Sequence, residues 1–105
     1  MRAIFEGLMA FDTVSFRPNM GLMAYVQGLL ANAGVDSTLI PDAGGGKANL
    51  YATVGPADVG GVMLSGHTDV VPIEGQAWTL PAFALTERDG VVHWHTAYNL
   101  LPLEF

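Results

Sequence analysis

The stretch "LSGHTDVVP", residues Leu64–Pro72, places His67 and Asp69 directly after an apolar run. Alternate residues of an extended chain point the same way, so these two side chains share a face if the run is a strand. A carboxylate beside an imidazole fixes the ring tautomer and raises its basicity, as behind metal-bound histidines. The pair is therefore compatible with a metal site and equally with a solvated polar pair, since His-x-Asp is a short pattern.

A zinc ion needs more donors than this stretch offers, because three or four protein ligands are usual. The other histidines, His93 and His95, do not form a ligand pair on a helix, and their spacing favours an exposed, polar strand face. The glycines of residues 44–46 lack the Lys-Ser/Thr of a phosphate-binding loop and predict a flexible turn. Any further ligands of a metal at His67 must therefore come from elsewhere.

Composition excludes several classes of protein. The chain has 105 residues, a net charge of −6 and only four scattered basic residues, so it has no basic surface for nucleic acid or an anionic membrane. Half of the residues are hydrophobic and 13% are charged, which predicts a core and also apolar surface that needs a covering partner or the rest of a larger protein. It contains no cysteine and no signal-peptide pattern, and we expect a cytoplasmic protein.

Two helices are predicted in the first third of the chain. Residues 3–11 repeat apolar side chains at helical spacing, and a longer helix runs from Pro18 to Gly34, with Ser15 or Asn19 as its cap. Gly34 is expected to end that helix, with Met20 and Met23 in or beside its packed face.

Strands follow the helices. We predict strands over residues 35–41 and 49–55, and a third, buried on both faces, over the continuously apolar residues 61–66. Residues 83–92 predict a hairpin whose tight turn is Asp89-Gly90. This order favours an α/β domain with a mixed sheet, whose carboxyl strand ends would present His67 and Asp69.

The same stretch resembles the M20 group of zinc-dependent amidohydrolases and exopeptidases. Within that group, the flanking text is most similar to the acetylornithine deacetylases, over roughly residues 4–92. The segments that carry the resemblance occur in the family's order: "FDTVS", "NM", "KANLYATVGP", "GGVMLSGHTDVVP", "GQAW" and "LTERDG". The resemblance implies the N-terminal part of a three-layer, zinc-exopeptidase-like α/β domain with a mixed sheet.

The resemblance also implies a chemistry. Family members hold two Zn²⁺ ions, for which Co²⁺ can substitute; His67 matches a ligand of one metal and Asp69 the aspartate that orients this histidine. The reaction implied is hydrolysis of N2-acetyl-L-ornithine to L-ornithine and acetate in arginine biosynthesis, by an enzyme that can be a homodimer. The alternatives are another M20 hydrolase, such as succinyl-diaminopimelate desuccinylase or a dipeptidase, and a non-catalytic remnant or binding module.

The end of the sequence departs from the family pattern. Asn99 or Tyr98 falls where the family has the aspartate that bridges the metals, and Glu104 lies in the wrong context to replace it. We therefore expect residues 1–105 to be a truncated N-terminal part of an M20-type catalytic domain, inactive alone, with an atypical tail from about residue 93. A frameshift or a misassembled sequence end would produce such a tail.

Three other side chains have structural interpretations. Trp78 is predicted to pack its loop against the sheet, as large aromatics usually do. Arg17 and Lys47 are predicted to be solvated charges and not clamps for a substrate carboxylate.

Overall fold

The computed structural model describes residues 1–56 and 58–94. These residues divide into two compact units, one formed by residues 1–17 with the described residues from Asp69 onward, the other by Pro18–Thr68. The helices and strands are α1 (Arg2–Met9), α2 (Met20–Asn32), β1 (Ser37–Pro41), β2 (Ala48–Ala52), β3 (Thr86–Arg88) and β4 (Val91–His93). Neither α1 nor α2 has the length and apolar character needed to cross a membrane.

Helix α2 ends where the sequence predicts. Gly34 follows it with a φ of +75°, in the left-handed region that glycine enters without steric cost. The N–H of Gly34 donates to the carbonyl of Ala31, and the N–H of Val35 donates to that of Leu30, both at 2.9 Å. These two bonds engage two of the last carbonyls of the helix, as is usual where a glycine ends it.

Helix α2 packs on an antiparallel hairpin formed by β1 and β2, in the same unit. Its Leu22 and Met23 are buried, as is Ala48 at the start of β2. The loop between the strands is closed by Asp42, whose carboxylate accepts a hydrogen bond from the Lys47 N–H at 3.0 Å. That bond lowers the pKa of Asp42, with smaller contributions from the N–H groups of residues 44–46.

The other unit contains α1 and the β3–β4 hairpin. Asp89 and Gly90 both have positive φ, 54° and 77°, as the tight turn predicted at this dipeptide requires. Arg2 forms ion pairs with Glu6 on its own helix and with Glu87 on β3. The rings of Phe5 and Trp94 meet edge to face, with centroids 5.4 Å apart.

The third strand predicted over residues 61–66, hereafter the apolar run, is absent from the structure. The side chains of Val62, Met63 and Leu64 are 90%, 77% and 93% exposed, so the prediction of a strand buried on both faces is wrong. A strand needs a neighbouring backbone for its hydrogen bonds. Within residues 1–56 and 58–94, no strand pairs with the apolar run.

The predicted combination of helices and strands is confirmed, whereas the sheet differs from the prediction. The strands described form two separate antiparallel pairs, β1 with β2 and β3 with β4. Parallel pairing between described residues is limited to one isolated bridge, Val14 with Val70. The three-layer arrangement remains a prediction.

Candidate functional site

The carboxylate of Asp69 is held by Ser15. The Ser15 hydroxyl lies 2.9 Å from Asp69 Oδ2 and 3.2 Å from the carbonyl oxygen of Val70. Backbone bonds flank this contact, because the Ser15 N–H donates to the Val70 carbonyl at 3.0 Å and the Val70 N–H donates to the Thr13 carbonyl at 3.1 Å. Thr13 and Val14 are buried, so the Asp69 backbone is joined to a well-packed segment.

His67 lies in the other unit, at the end of the apolar run, with its side chain exposed. The adjacent residue, Thr68, has its hydroxyl 3.5 Å from the side-chain nitrogen of Asn19, which directly precedes α2. The Asn19 amide also bonds both backbone groups of Ala48: its nitrogen donates to the carbonyl at 3.0 Å, and its oxygen accepts from the N–H at 2.9 Å.

Of the two predicted helix caps, Asn19 occupies the cap position of α2 but makes no side-chain hydrogen bond to that helix. Its amide is used by Ala48 instead. The hydroxyl of Ser15 lies on Asp69 and Val70, so Ser15 is not the cap.

The two predicted site residues are therefore described in separate units, with the division between Thr68 and Asp69. Both side chains are exposed. The pairing of the His67 imidazole with the Asp69 carboxylate stays a prediction. His93 ends β4 with its side chain exposed, and the other tail residues named above, His95, Tyr98, Asn99 and Glu104, lie outside the described residues.

Of the predicted site residues, His67 could serve as one ligand of a divalent metal. An exposed imidazole is accessible to an ion, and histidine nitrogen is a donor that Zn²⁺ and Co²⁺ both accept. Within residues 1–56 and 58–94, no three His, Asp or Glu side chains gather closely enough to hold a metal ion. The described residues thus supply a candidate ligand, His67, and do not by themselves compose a metal site.

Two carboxylates bind Arg17. Its guanidinium pairs with Asp12 and, at 3.2 Å, with Glu74, while its side chain is 43% exposed. The prediction that Arg17 is a solvated charge agrees with its exposure, but it did not include the two carboxylate partners. Arg17 thus links Asp12, which precedes Ser15 in the chain, to Glu74, which follows Asp69. All of these residues belong to one unit.

Trp78 anchors its own loop. Its indole N–H donates to the Ile73 carbonyl at 3.0 Å, and the Gln76 side chain donates to the Pro72 carbonyl at 2.7 Å. The Trp78 side chain stays 39% exposed. These bonds close residues 72–78 on themselves, and packing of the Trp78 ring against the sheet stays a prediction.

Sequence reasoning missed the contacts of Ser15 with Asp69 and of Asn19 with Thr68. These contacts join residues 54 and 49 positions apart, which no local pattern reveals. A usable signal was nonetheless present, because Ser15 and Asn19 belong to "FDTVS" and "NM", two of the segments that carry the family resemblance.

Comparison with known proteins finds several relatives that are named acetylornithine deacetylase. It is 43% identical over 95 residues to an acetylornithine deacetylase of Myxococcus xanthus, covering 86% of this chain and 24% of the relative. It is 35% identical over 94 residues to the acetylornithine deacetylase of Pasteurella multocida, covering 83% and 24%. The acetylornithine deacetylase of Photorhabdus laumondii is 50% identical over 48 residues, 46% of this chain. A scan against descriptions of protein families finds no match.

These relatives confirm the predicted resemblance to the M20 group of amidohydrolases and exopeptidases. Within that group, the resemblance is to the acetylornithine deacetylases, as the flanking segments indicated. The chain spans about a quarter of the length of the first two relatives.

Proposed function

We propose that this chain is the N-terminal part of the catalytic domain of a metal-dependent amidohydrolase that acts on N2-acetyl-L-ornithine. The products would be L-ornithine and acetate, in arginine biosynthesis. In this proposal His67 is a ligand of one of two Zn²⁺ or Co²⁺ ions, and Asp69 orients it. The domain would be of the three-layer, mixed-sheet kind and the enzyme cytoplasmic, with homodimerisation through other parts of a longer protein.

The extent of the match to the Myxococcus xanthus relative carries the proposal. That match covers 86% of the chain, which leaves about 15 of 105 residues outside it. His67 and Asp69 lie more than 15 residues from either end, so both fall inside the match wherever it begins. The two residues that could do chemistry thus belong to the part related to a named deacetylase.

The structure supports the roles of these two residues separately. The imidazole of His67 is exposed and can reach an ion, and a neutral ring nitrogen is the donor required. The Asp69 carboxylate is fixed by the Ser15 hydroxyl and by the backbone bonds of Val70. Bound metal would lower the pKa of a coordinated water and polarise the amide carbonyl.

A chimera tests the proposal directly. The matched segment of this chain, 86% of its 105 residues, would replace the corresponding part of the Myxococcus xanthus relative, and release of acetate from N2-acetyl-L-ornithine would be measured with Zn²⁺ or Co²⁺ present. We expect activity in the chimera and its loss in the same chimera carrying His67→Ala. Lys47→Ala, a change of a surface charge in the β1–β2 loop, is the matched control and should leave the rate unchanged.

The substrate is tested in the same assay. N-succinyl-diaminopimelate and simple dipeptides would be offered beside N2-acetyl-L-ornithine. Preference for one of these would assign the chain to another M20 hydrolase, because substrate choice would then follow the transplanted segment. A folded chimera without activity on any of them would contradict a catalytic role for this segment and favour the non-catalytic alternative.

The chain by itself should bind Zn²⁺ weakly and show no turnover. The resemblance assigns only one metal ligand, His67, to these residues, whereas a catalytic zinc usually has three protein ligands. Calorimetric titration with Zn²⁺, followed by the deacetylation assay, measures both quantities. Zinc-dependent deacetylation by the isolated chain would contradict the view that ligands from outside these residues are essential.

A further inference from the structure

We propose that the apolar run of one copy of this chain pairs as an antiparallel strand with β2 of a second copy. The proposal is independent of the proposed function, because it concerns only the unit formed by Pro18–Thr68. Its evidence is that this unit carries both an exposed apolar segment and a strand border with outward-pointing backbone groups.

The outer border of β2 has backbone groups placed for a further strand. The Lys47 carbonyl faces the chain at the end of β1, because it accepts the Asp42 N–H at 2.8 Å. Backbone groups along an antiparallel strand point alternately toward the partner and away from it, so those of Leu50 and Ala52 point away from β1. Within residues 1–56 and 58–94, neither of these two residues has a backbone bond on that side.

The outer border of β1 is less suited to a further strand. By the same alternation, its outward groups are those of Ser37, Leu39 and Pro41. Pro41 has no N–H, and the Ser37 carbonyl accepts a hydrogen bond from the Gln27 side chain of α2 at 3.4 Å. Only the middle one of these three residues keeps both groups for pairing, so a joining strand is favoured at β2.

The apolar run supplies the strand. Its three large side chains, those of Val62, Met63 and Leu64, are between 77% and 93% exposed. In one copy the run is not paired with β2, although both belong to the same unit. A second copy presents the same border from outside and can give the run the backbone partner that it lacks in its own chain.

Charge favours contact between copies through these segments. The net charge of −6 makes two copies repel each other. Residues 48–56 and 59–66 contain no charged side chain, so their pairing sets no like charges opposite each other. The border of β1 is flanked by Asp36 and Asp42, which again favours β2 as the strand that is joined.

The burial pattern of β2 sets the register. Leu50 and Ala52 are half-buried on one face of the strand, whereas Tyr51 is 52% exposed on the other. An antiparallel alignment with Leu64 opposite Leu50 extends the half-buried face with another apolar side chain. Antiparallel pairing is also slightly more stable per residue than parallel pairing.

This register fixes the remaining pairs. Val62 lies opposite Ala52, on the half-buried face, and Met63 lies opposite Tyr51, on the exposed face. Such a contact is short, so we expect weak association, with a dissociation constant of roughly 10–100 µM. The monomer described above should then predominate at low micromolar concentration.

Sedimentation equilibrium of the purified chain, from low micromolar to about 1 mM, tests the association. We expect an average mass that rises with concentration. Leu64→Lys should raise the dissociation constant at least ~10-fold, because a lysine on a strand edge opposes pairing. Ile40→Lys, at a position on β1 that is 54% exposed, is the matched control and should leave the association unchanged. Circular dichroism checks that both variants keep the fold.

Disulfide formation tests the register, without background because the chain contains no cysteine. Tyr51→Cys in one copy and Met63→Cys in another would be opposite residues of a non-hydrogen-bonded pair, with Cα atoms about 4.5 Å apart, inside the range of a disulfide. We expect the mixed disulfide, identified by mass, when the two variants are oxidised together. Thr38→Cys, one strand further away, replaces Tyr51→Cys in the control and should form little of it.

The outcomes decide between occupants of the apolar run. A chain that stays monomeric at all concentrations overturns the proposal and favours a segment of a longer protein as the partner of the run. Equal loss of association in Leu64→Lys and Ile40→Lys, or equal disulfide yield from Thr38→Cys and Tyr51→Cys, indicates unspecific contact and overturns it too. Association that depends on Leu64 but gives no disulfide between positions 51 and 63 overturns the pairing with β2.

Discussion

Helix α2 and the apolar run are both strongly hydrophobic and belong to the same unit, but they differ in how far their side chains are buried. Helix α2 packs on the β1–β2 hairpin, and its Leu22 and Met23 are buried. The apolar run leaves Val62, Met63 and Leu64 almost fully exposed. The difference follows from backbone hydrogen bonding, because a helix satisfies its own backbone groups and then needs only a surface to cover its apolar side. A strand requires a second strand before it exists at all.

The comparison explains why hydrophobicity alone is a poor guide to burial. The residues of the apolar run are as apolar as those of α2, yet within the described residues no strand pairs with them. An exposed apolar segment of this kind favours association with another surface. Three sets of variants test what stabilises α2 and its hairpin, and the first compares α2 with the apolar run. They are given from the largest expected effect to the smallest.

The first prediction compares equal truncations in the two segments. Leu22→Ala should lower the free energy of unfolding by about 2–5 kcal/mol, the usual cost of truncating a buried leucine. Leu64→Ala should change it by less than about 0.5 kcal/mol, because its side chain is already in water. Urea unfolding followed by circular dichroism measures both. Comparable losses in the two variants would show that Leu64 is packed in solution.

The second prediction concerns how α2 is built, and it compares two glycines for which an added methyl group has space. Gly34→Ala should destabilise the chain by about 1–2 kcal/mol, because alanine is strained at a φ of +75°. Gly28→Ala, inside the helix, should stabilise it by about 0.5–1 kcal/mol, since alanine is the better helix former. The same urea unfolding measures both variants. If both raised or both lowered the free energy of unfolding, the assigned end of α2 would be contradicted.

The third prediction concerns the hairpin on which α2 packs, and it depends on pH. The pKa of Asp42 is lowered in the folded chain, chiefly by the Lys47 N–H, so its charged form stabilises the fold. This contribution is complete above the unfolded pKa of about 4 and is lost as the pH falls through the lower, folded value. Asp42→Asn should therefore reduce the acid sensitivity of the thermal midpoint, measured between neutral pH and acid.

Gly28→Ala serves as the uncharged control for this measurement. It should shift the midpoint by the same amount at each pH, because it adds no titrating group. If Asp42→Asn were as acid-sensitive as the unmodified chain, the loop carboxylate would not contribute to the stability of the hairpin.

Sequence predicted the elements whose causes are local. Gly34 ends α2 and Asp89-Gly90 turns the second hairpin, because the conformations required there suit these residue types and few others. The apolar run was misjudged because its conformation depends on a partner strand. For the site, His67 and Asp69 were identified from a motif, whereas the contacts of Ser15 and Asn19 depend on the folded chain bringing distant residues together.

The Asn19 side chain has a consequence for how the β1–β2 sheet can grow. Its amide occupies both the N–H and the carbonyl of Ala48, as the peptide group of an adjoining strand would. Because these groups are taken, a strand that joined this border of β2 could not pair at Ala48 and would have to begin its pairing further along, from Leu50. A single asparagine thereby limits the alignment of any additional strand at this border of β2.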